Sequence, residues 1–263
     1  MPAFDTPEPI DLEIDLVFGA IQINAVDRAD TTVEIHPRDA AKDADVRAAE
    51  LIQAEYADGR LVVKDTGTGL GRLLRKGVAD VTVDLPSGSR VHAAVRDANI
   101  RCQGSFGAAA ITATGGNIAL DRAVGGTELT SAHGWIRAQE IDGGATVTTS
   151  IGAITLGTVT GRLRAKSAHG AIAAERLLDG AHIRTAHGNV RIGEVVRGRM
   201  ELETSYGEVE VGVREGTAAW LDAGSKHGRL TSSLEAAEDP GSAEETVEIY
   251  ARSVYGDIVI RRA

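Results

Sequence analysis

The sequence predicts an all-β fold: a single-chain parallel β-helix or solenoid with rungs of about 18 residues and one short inserted α-helix near the amino terminus. Three observations point there. Seven segments share the pattern Ser/Thr-x-x-Gly-x-aliphatic, beginning at Ser131, Thr149, Ser167, Thr185, Thr204, Ser225 and Ser253. From Gly116 onward, Gly134, Gly152, Gly170 and Gly188 follow at a constant step of 18 residues. Two and four positions after these glycines stand Ile118/Leu120, Ile136/Ala138, Ile154/Leu156, Ile172/Ala174 and Val190/Ile192, the period-two alternation of a strand with one buried face. A unit this short cannot bury its apolar face alone, so equivalent residues must stack into ladders with parallel pairing between rungs.

The elements follow in chain order within one expected domain, 1–263. Residues 11–36 hold the first strands: Phe18-Gly19-Ala20-Ile21-Gln22-Ile23 reproduces the glycine-strand signature, and 32–36 alternates as a strand up to Pro37. Residues 38–77 form an insertion. Within it 38–56 is rich in helix formers and predicts a short amphipathic helix, and 65–77 carries four glycines and predicts a loop. The regular rungs occupy 79–262. They open with the alternating strand 79–85 and the turn Pro86-Ser87-Gly88. Ile100, 18 residues before Ile118, extends the pattern upstream, with Ala98 in the glycine position. Later the acidic segment 235–245, with Pro240-Gly241, interrupts the last rung as a solvated loop; the late glycine spacings lengthen to 21 and 28 residues, and the expected rung order is Gly207, Gly228, Gly256. The Ser/Thr column suits a tight corner, where a hydroxyl bonds backbone groups that the turn leaves unpaired.

Composition narrows the function classes. Aromatics make up only 3% of the chain, so the core is built from Val, Ile, Leu and Ala. A formal charge of -10 argues against nucleic acid as the partner, since phosphate contacts need clustered cations and only Arg72, Arg75 and Lys76 approach a cluster. The single cysteine, Cys102, requires no oxidising compartment. The acidic amino terminus does not read as a signal peptide, and no apolar run reaches the roughly 18 residues of a membrane span. The expectation is a soluble, cytoplasmic protein.

Thr185-Ala186-His187-Gly188-Asn189-Val190, together with Val81-Thr82-Val83-Asp84-Leu85-Pro86-Ser87-Gly88-Ser89, resembles the bacterial "putative adhesin" or toastrack family of β-strand-repeat domains. The resemblance covers 79–262, and 11–36 more loosely. It implies a β-helix-like stack, no established enzymatic activity, no catalytic residue to carry over, and a role as an adhesive module or assembly platform in cell-envelope stress and signalling contexts. This chain differs from membrane-linked members in lacking a transmembrane segment.

Several constellations bear on chemistry. His133, His169, His187 and His227 each precede a repeat glycine, with Ile151, Tyr206 and Tyr255 in the same register. Stacked on adjacent rungs, His169 and His187 would bring imidazoles to about 5 Å, close enough to raise a shared zinc or copper ion. No carboxylate or cysteine recurs beside them, and a register that also accepts Ile and Tyr reads as a structural His/Tyr ladder. A β-helical polysaccharide lyase or hydrolase would need paired carboxylates. The residue after the glycine runs Asn117, Trp135, Ala153, Ala171, Asn189, Glu208, Arg229 and Asp257, with no adjacent acids in that order, and Glu140 and Glu194 share a turn register three rungs apart. Cys102 lacks a flanking base, and Gly104-Ser105-Phe106-Gly107 does not match a nucleophile elbow. Thr66-Gly67-Thr68-Gly69-Leu70-Gly71 lacks the Gly-Lys-Ser/Thr ending of a phosphate loop. The reading is a noncatalytic scaffold or adhesin-like interaction module, with no catalytic, cofactor or metal residues and no cofactor. Its partner is a protein or a second copy, met through side-chain ladders or, through the Leu70-Gly71-Arg72-Leu73-Leu74 loop, by insertion of apolar side chains.

Overall fold

The computed structural model describes residues 2–67, 77–234 and 244–263. Apart from one short helix the described residues are all-β, and the chain falls into two compact units, Met1–Gly134 and Trp135–Ala263. In each, parallel strands wind round an axis, with two strands to a coil except where one long strand runs through the whole coil in the first unit.

The first unit opens with β1 (Ala3–Asp5) and β2 (Asp11–Val26), followed by β3 (Asp30–Pro37), α1 (Asp43–Glu50), β4 (Ile52–Ala57), β5 (Arg60–Asp65) and β6 (Ala79–Pro86). Then come β7 (Arg90–Phe106), β8 (Ala109–Gly115), β9 (Ile118–Val124) and β10 (Thr127–His133). The expected register holds: Ile21 pairs with Ile100 and Ile100 with Ile118, all in parallel strands. The coil order is not the chain order, however. β2 lies second, between β7 on one side and β5 and β6 on the other. Antiparallel strands close that outer side, β4 on β5 and β3 on β6. The buried Asp45 carboxylate accepts the Asp39 and Val78 N–H groups at 3.1 and 2.8 Å, holding α1 beside them.

The helix is shorter than the sequence reading. Its last expected residues, 52–56, belong to β4, because Asp58 and Gly59, at φ 50° and 75°, make a tight hairpin that pairs Ile52–Ala57 with Arg60–Asp65. The Asp-Gly dipeptide was the available signal. The phosphate-loop-like segment, the Leu70 to Leu74 insertion loop and the Arg72/Arg75/Lys76 cluster lie largely or wholly outside the described residues, as does most of the acidic 235–245 segment.

The second unit comprises β11 (Ile136–Asp142), β12 (Ala145–Ile151), β13 (Ile154–Val159), β14 (Leu163–His169), β15 (Ile172–Leu177), β16 (Ala181–His187) and β17 (Val190–Val195). It continues with β18 (Gly198–Tyr206), β19 (Val209–Val213), β20 (Thr217–His227), β21 (Leu230–Ser232), β22 (Glu245–Tyr255) and β23 (Ile258–Arg262). Its interior is a set of aliphatic columns. One of them, Ala145, Leu163, Ala181, Met200, Ile249, begins by alternating small and large side chains, which lets successive layers interdigitate.

Here the expected rung order is corrected. β18 pairs with β22 and β22 with β20, and likewise β19 with β23 and β23 with β21, so the last coil in sequence inserts between the two before it. The spatial order of the glycines is Gly207, Gly256, Gly228: the Gly207 N–H donates to the Tyr255 carbonyl and the Gly256 N–H to that of His227. Packing accounts for the order. The last coil carries Val247, Ile249, Ala251, Ile258 and Ile260, buried to within 1% exposure, whereas the coil that it displaces to the end has half-exposed Ala219, Leu221 and Ala223 and exposed Leu230.

Candidate functional site

Each rung corner of the second unit is built from three successive columns. Innermost is the hydroxyl column, buried except at half-exposed Ser225, which bonds backbone at the corner as expected; its partner is the carbonyl of the repeat glycine one rung away. Ser167 bonds Gly152 O, Thr185 bonds Gly170 O, Thr204 bonds Gly188 O, Ser253 bonds Gly207 O and Ser225 bonds Gly256 O, at 2.8–3.3 Å. In the first unit Ser131 bonds Gly116 O at 3.1 Å. The glycines themselves are required. Gly170, Gly188 and Gly207 sit at φ 152–155°, and a Cβ on Gly188 would stand 2.2 Å from the Gly170 carbonyl oxygen.

The column before the glycine faces outward. Ile151 is register partner to His169, and from there the rings stack continuously: His169 on His187, His187 on Tyr206, Tyr206 on Tyr255, and Tyr255 on His227. Centroids are 4.6–5.0 Å apart and planes within 5–13° of parallel. Every member is exposed, with Ile151 at 52%, Tyr206 at 51% and Tyr255 at 45%. His133 lies in the first unit, opposite Gly115 of β8.

The expected approach of His169 and His187 is therefore observed, yet the geometry does not suit a shared ion. The rings are parallel at 4.9 Å, so equivalent nitrogens are about equally far apart, whereas two ligands at about 2.1 Å from one zinc ion span at most about 4.2 Å. Among the described residues no group of three or more His, Cys, Asp or Glu side chains is placed to hold a metal ion.

The altered rung order also corrects the acid column. Glu208 and Asp257, non-adjacent in chain order, fall on neighbouring rungs, because Val209 pairs with Ile258. Both are exposed, and the Asp257 carboxylate accepts the Arg229 N–H at 2.8 Å. Glu140 and Glu194 lie three rungs apart through Thr158 and Arg176, about 14 Å at one rung spacing each, beyond the roughly 6.5–9.5 Å of an inverting carboxylate pair. Arg176 Nε stands 3.5 Å from Glu194 Oε1. Cys102 is fully buried and its thiol is pushed up to about 12, chiefly by desolvation and further by Asp121, so it is no nucleophile at neutral pH. Ser105 precedes the fully buried Phe106 within β7, not on a strand-to-helix turn.

Beside the ring column, the outward face of β14 and β16 carries exposed Arg164, Lys166 and Arg184. Lys166 stands directly opposite Arg184, a like-charge placement that weakens strand pairing, and Arg184 reaches Glu203 at 3.5 Å. Sequence reasoning missed this patch because the overall charge is negative.

Solved structures include similar chains. The chain matches putative bacterial adhesins over its full length. A putative cell adhesion protein from Clostridium sporogenes is 11% identical, with 100% of this chain and 98% of that one covered at a TM-score of 0.22. A putative adhesin from Bacteroides fragilis is 11% identical with 98% and 95% covered at 0.43, and one from Parabacteroides distasonis is 10% identical with the same coverage at 0.31. No protein-family model and no curated protein matches the chain. No helix among the described residues is long and apolar enough to cross a membrane.

Proposed function

We propose that this chain is a noncatalytic interaction module that presents the Ile151/His169/His187/Tyr206/Tyr255/His227 column to a protein partner or to a second copy. The single observation behind this reading is the continuous exposed ring stack on a rigid frame. Stacking restrains the side chains before any partner arrives, which lowers the entropy lost on binding. Apart from the outer face of His227 at the end of the stack, ring faces are covered by their neighbours, so the column offers mainly edges: Tyr hydroxyls, imidazole nitrogens and the Ile151 side chain. Such mixed apolar and hydrogen-bonding surface suits a protein better than a sugar ring, which stacks on open aromatic faces. Arg164, Lys166 and Arg184 alongside favour an acidic partner surface and a salt-sensitive association rate.

Tyr206→Ala/Tyr255→Ala tests the reading, since exposed rings are removed and the aliphatic core is left alone. Affinity capture from the source cells with the wild-type chain should retain a protein that the double variant and Lys166→Glu lose, with unchanged circular dichroism. Equal capture by all three chains, or cleavage of pectin, alginate or chitin oligosaccharides by the wild type, would contradict it.

A further inference from the structure

The coil that ends the second unit is built unlike those inside it. β20 is an 11-residue strand whose register partner lies on one side only, β22. Among the described residues nothing pairs with its other edge. Every second residue of such a strand turns its N–H and C=O groups away from its partner, and edges of this length are ordinarily blunted by Pro, a bulge or several charges. β20 reads TAAWLDAGSKH, with Asp222 and Lys226 as its only Asp, Glu, Lys or Arg residues and no proline. In the first unit the outermost coil is covered by antiparallel β3 and β4. Among the described residues no comparable strand covers β20 and β21.

The apolar side chains tell the same story. Ala219, Leu221 and Ala223 occupy the inward columns that Val247, Ile249 and Ala251 fill one rung deeper, yet they are half-exposed where those are buried. Trp220 and Leu230 are exposed to 53% and 51%. Among the described residues, therefore, nothing closes the aliphatic interior at this end.

We infer that the free edge of β20 pairs with the same strand of a second copy, antiparallel and two-fold symmetric, joining two chains through one continuous sheet. Self-complementarity selects this occupant. Pairing centred on Asp222 sets Leu221 opposite Ala223 and Ala219 opposite Ser225 of the second copy, extending the interior columns across the join. On the outer face it sets Trp220 opposite Gly224, where a Cβ would meet nothing within 4 Å, leaving room for the indole. Asp222 meets itself, but each carboxylate is held by its own Arg252 at 2.7 Å. The inference rests on the reading of the chain as an interaction module and adds which edge self-associates. It is independent of the ring column, so the Tyr206→Ala/Tyr255→Ala variant should dimerise as the wild type does.

Sedimentation velocity of the full chain, from low to high micromolar concentration, decides it. The wild type should pass from monomer to dimer. Leu221→Lys, at a position already half-exposed, and Gly224→Lys, at an open position, should each raise the dissociation constant by at least about tenfold while leaving the circular dichroism unchanged. Asp222→Cys should form a disulfide-linked dimer under mild oxidation, because directly opposed residues across antiparallel strands lie about 4.5–5.5 Å apart and Cys102 is buried. A wild type that stays monomeric throughout, a dimer unaffected by both lysines, or no covalent dimer from Asp222→Cys would overturn the inference.

Discussion

Tyr206 and Tyr255 stack at 5.0 Å with planes 6° apart, although an entire coil of sequence, β20 and β21, lies between them in the chain. The contact exists because the last coil returns to fill the slot next to β18, placing its well-packed aliphatic residues inside and leaving the poorer coil at the end.

Thr185→Val keeps the buried volume and removes the hydroxyl that bonds the Gly170 carbonyl at 3.0 Å. Loss of that bond in a buried corner should cost about 1–3 kcal/mol, read as a lower urea midpoint with an unchanged slope. Thr185→Ser should fall between the two.

Gly188→Ala tests the corner geometry. At φ 152°, with the Gly170 oxygen 2.2 Å from the new Cβ, the alanine forces neighbouring backbones apart. A loss of more than about 2 kcal/mol is expected. Gly224→Ala, in open space on β20, should change stability by less than about 0.5 kcal/mol, as ordinary surface substitutions do.

Stability should fall in acid in part through Glu210. The Arg191 guanidinium, hydrogen-bonded at 2.6 Å, holds this carboxyl below the usual carboxylate range, with Arg261 adding to it and burial opposing. A group whose folded pKa is depressed stabilises the fold above its unfolded value, about 4.3, and loses that contribution as pH drops through the folded one. Glu210→Gln should therefore be less stable than the wild type by about 0.5–1 kcal/mol at neutral pH. The two should converge in urea titrations as pH falls below the usual carboxylate range and through the folded value.

Most of the rung geometry was legible in the sequence, because glycine corners, alternating aliphatics and hydroxyls recur at fixed offsets and each has one physical role. The partner of the hydroxyls, the glycine carbonyl one rung away, follows once the stacking is known. Rung order was not legible. The repeat pattern is equally satisfied by Gly228 or Gly256 next to Gly207, and only the burial of Val247, Ile249 and Ile260 against the half-exposed Ala219 and Leu221 separates them. The same ambiguity hid the Glu208/Asp257 adjacency. The end of the helix was obscured because Ile52, Ala54 and Tyr56 sit among residues that also favour a helix, and the Asp58-Gly59 turn decides for β4.

The central claim is that coils stack in parallel register with the last one inserted beside β18, and a pair of engineered cysteines tests it most directly. Glu203 and Arg252 are register partners, so Glu203→Cys/Arg252→Cys should close a disulfide readily at the roughly 4.8 Å spacing of adjacent strands. Gly224 lies one rung further, so Glu203→Cys/Gly224→Cys, at about twice that spacing, should stay reduced. Closure of the second pair and not the first would show the coils stacked in chain order and contradict the account.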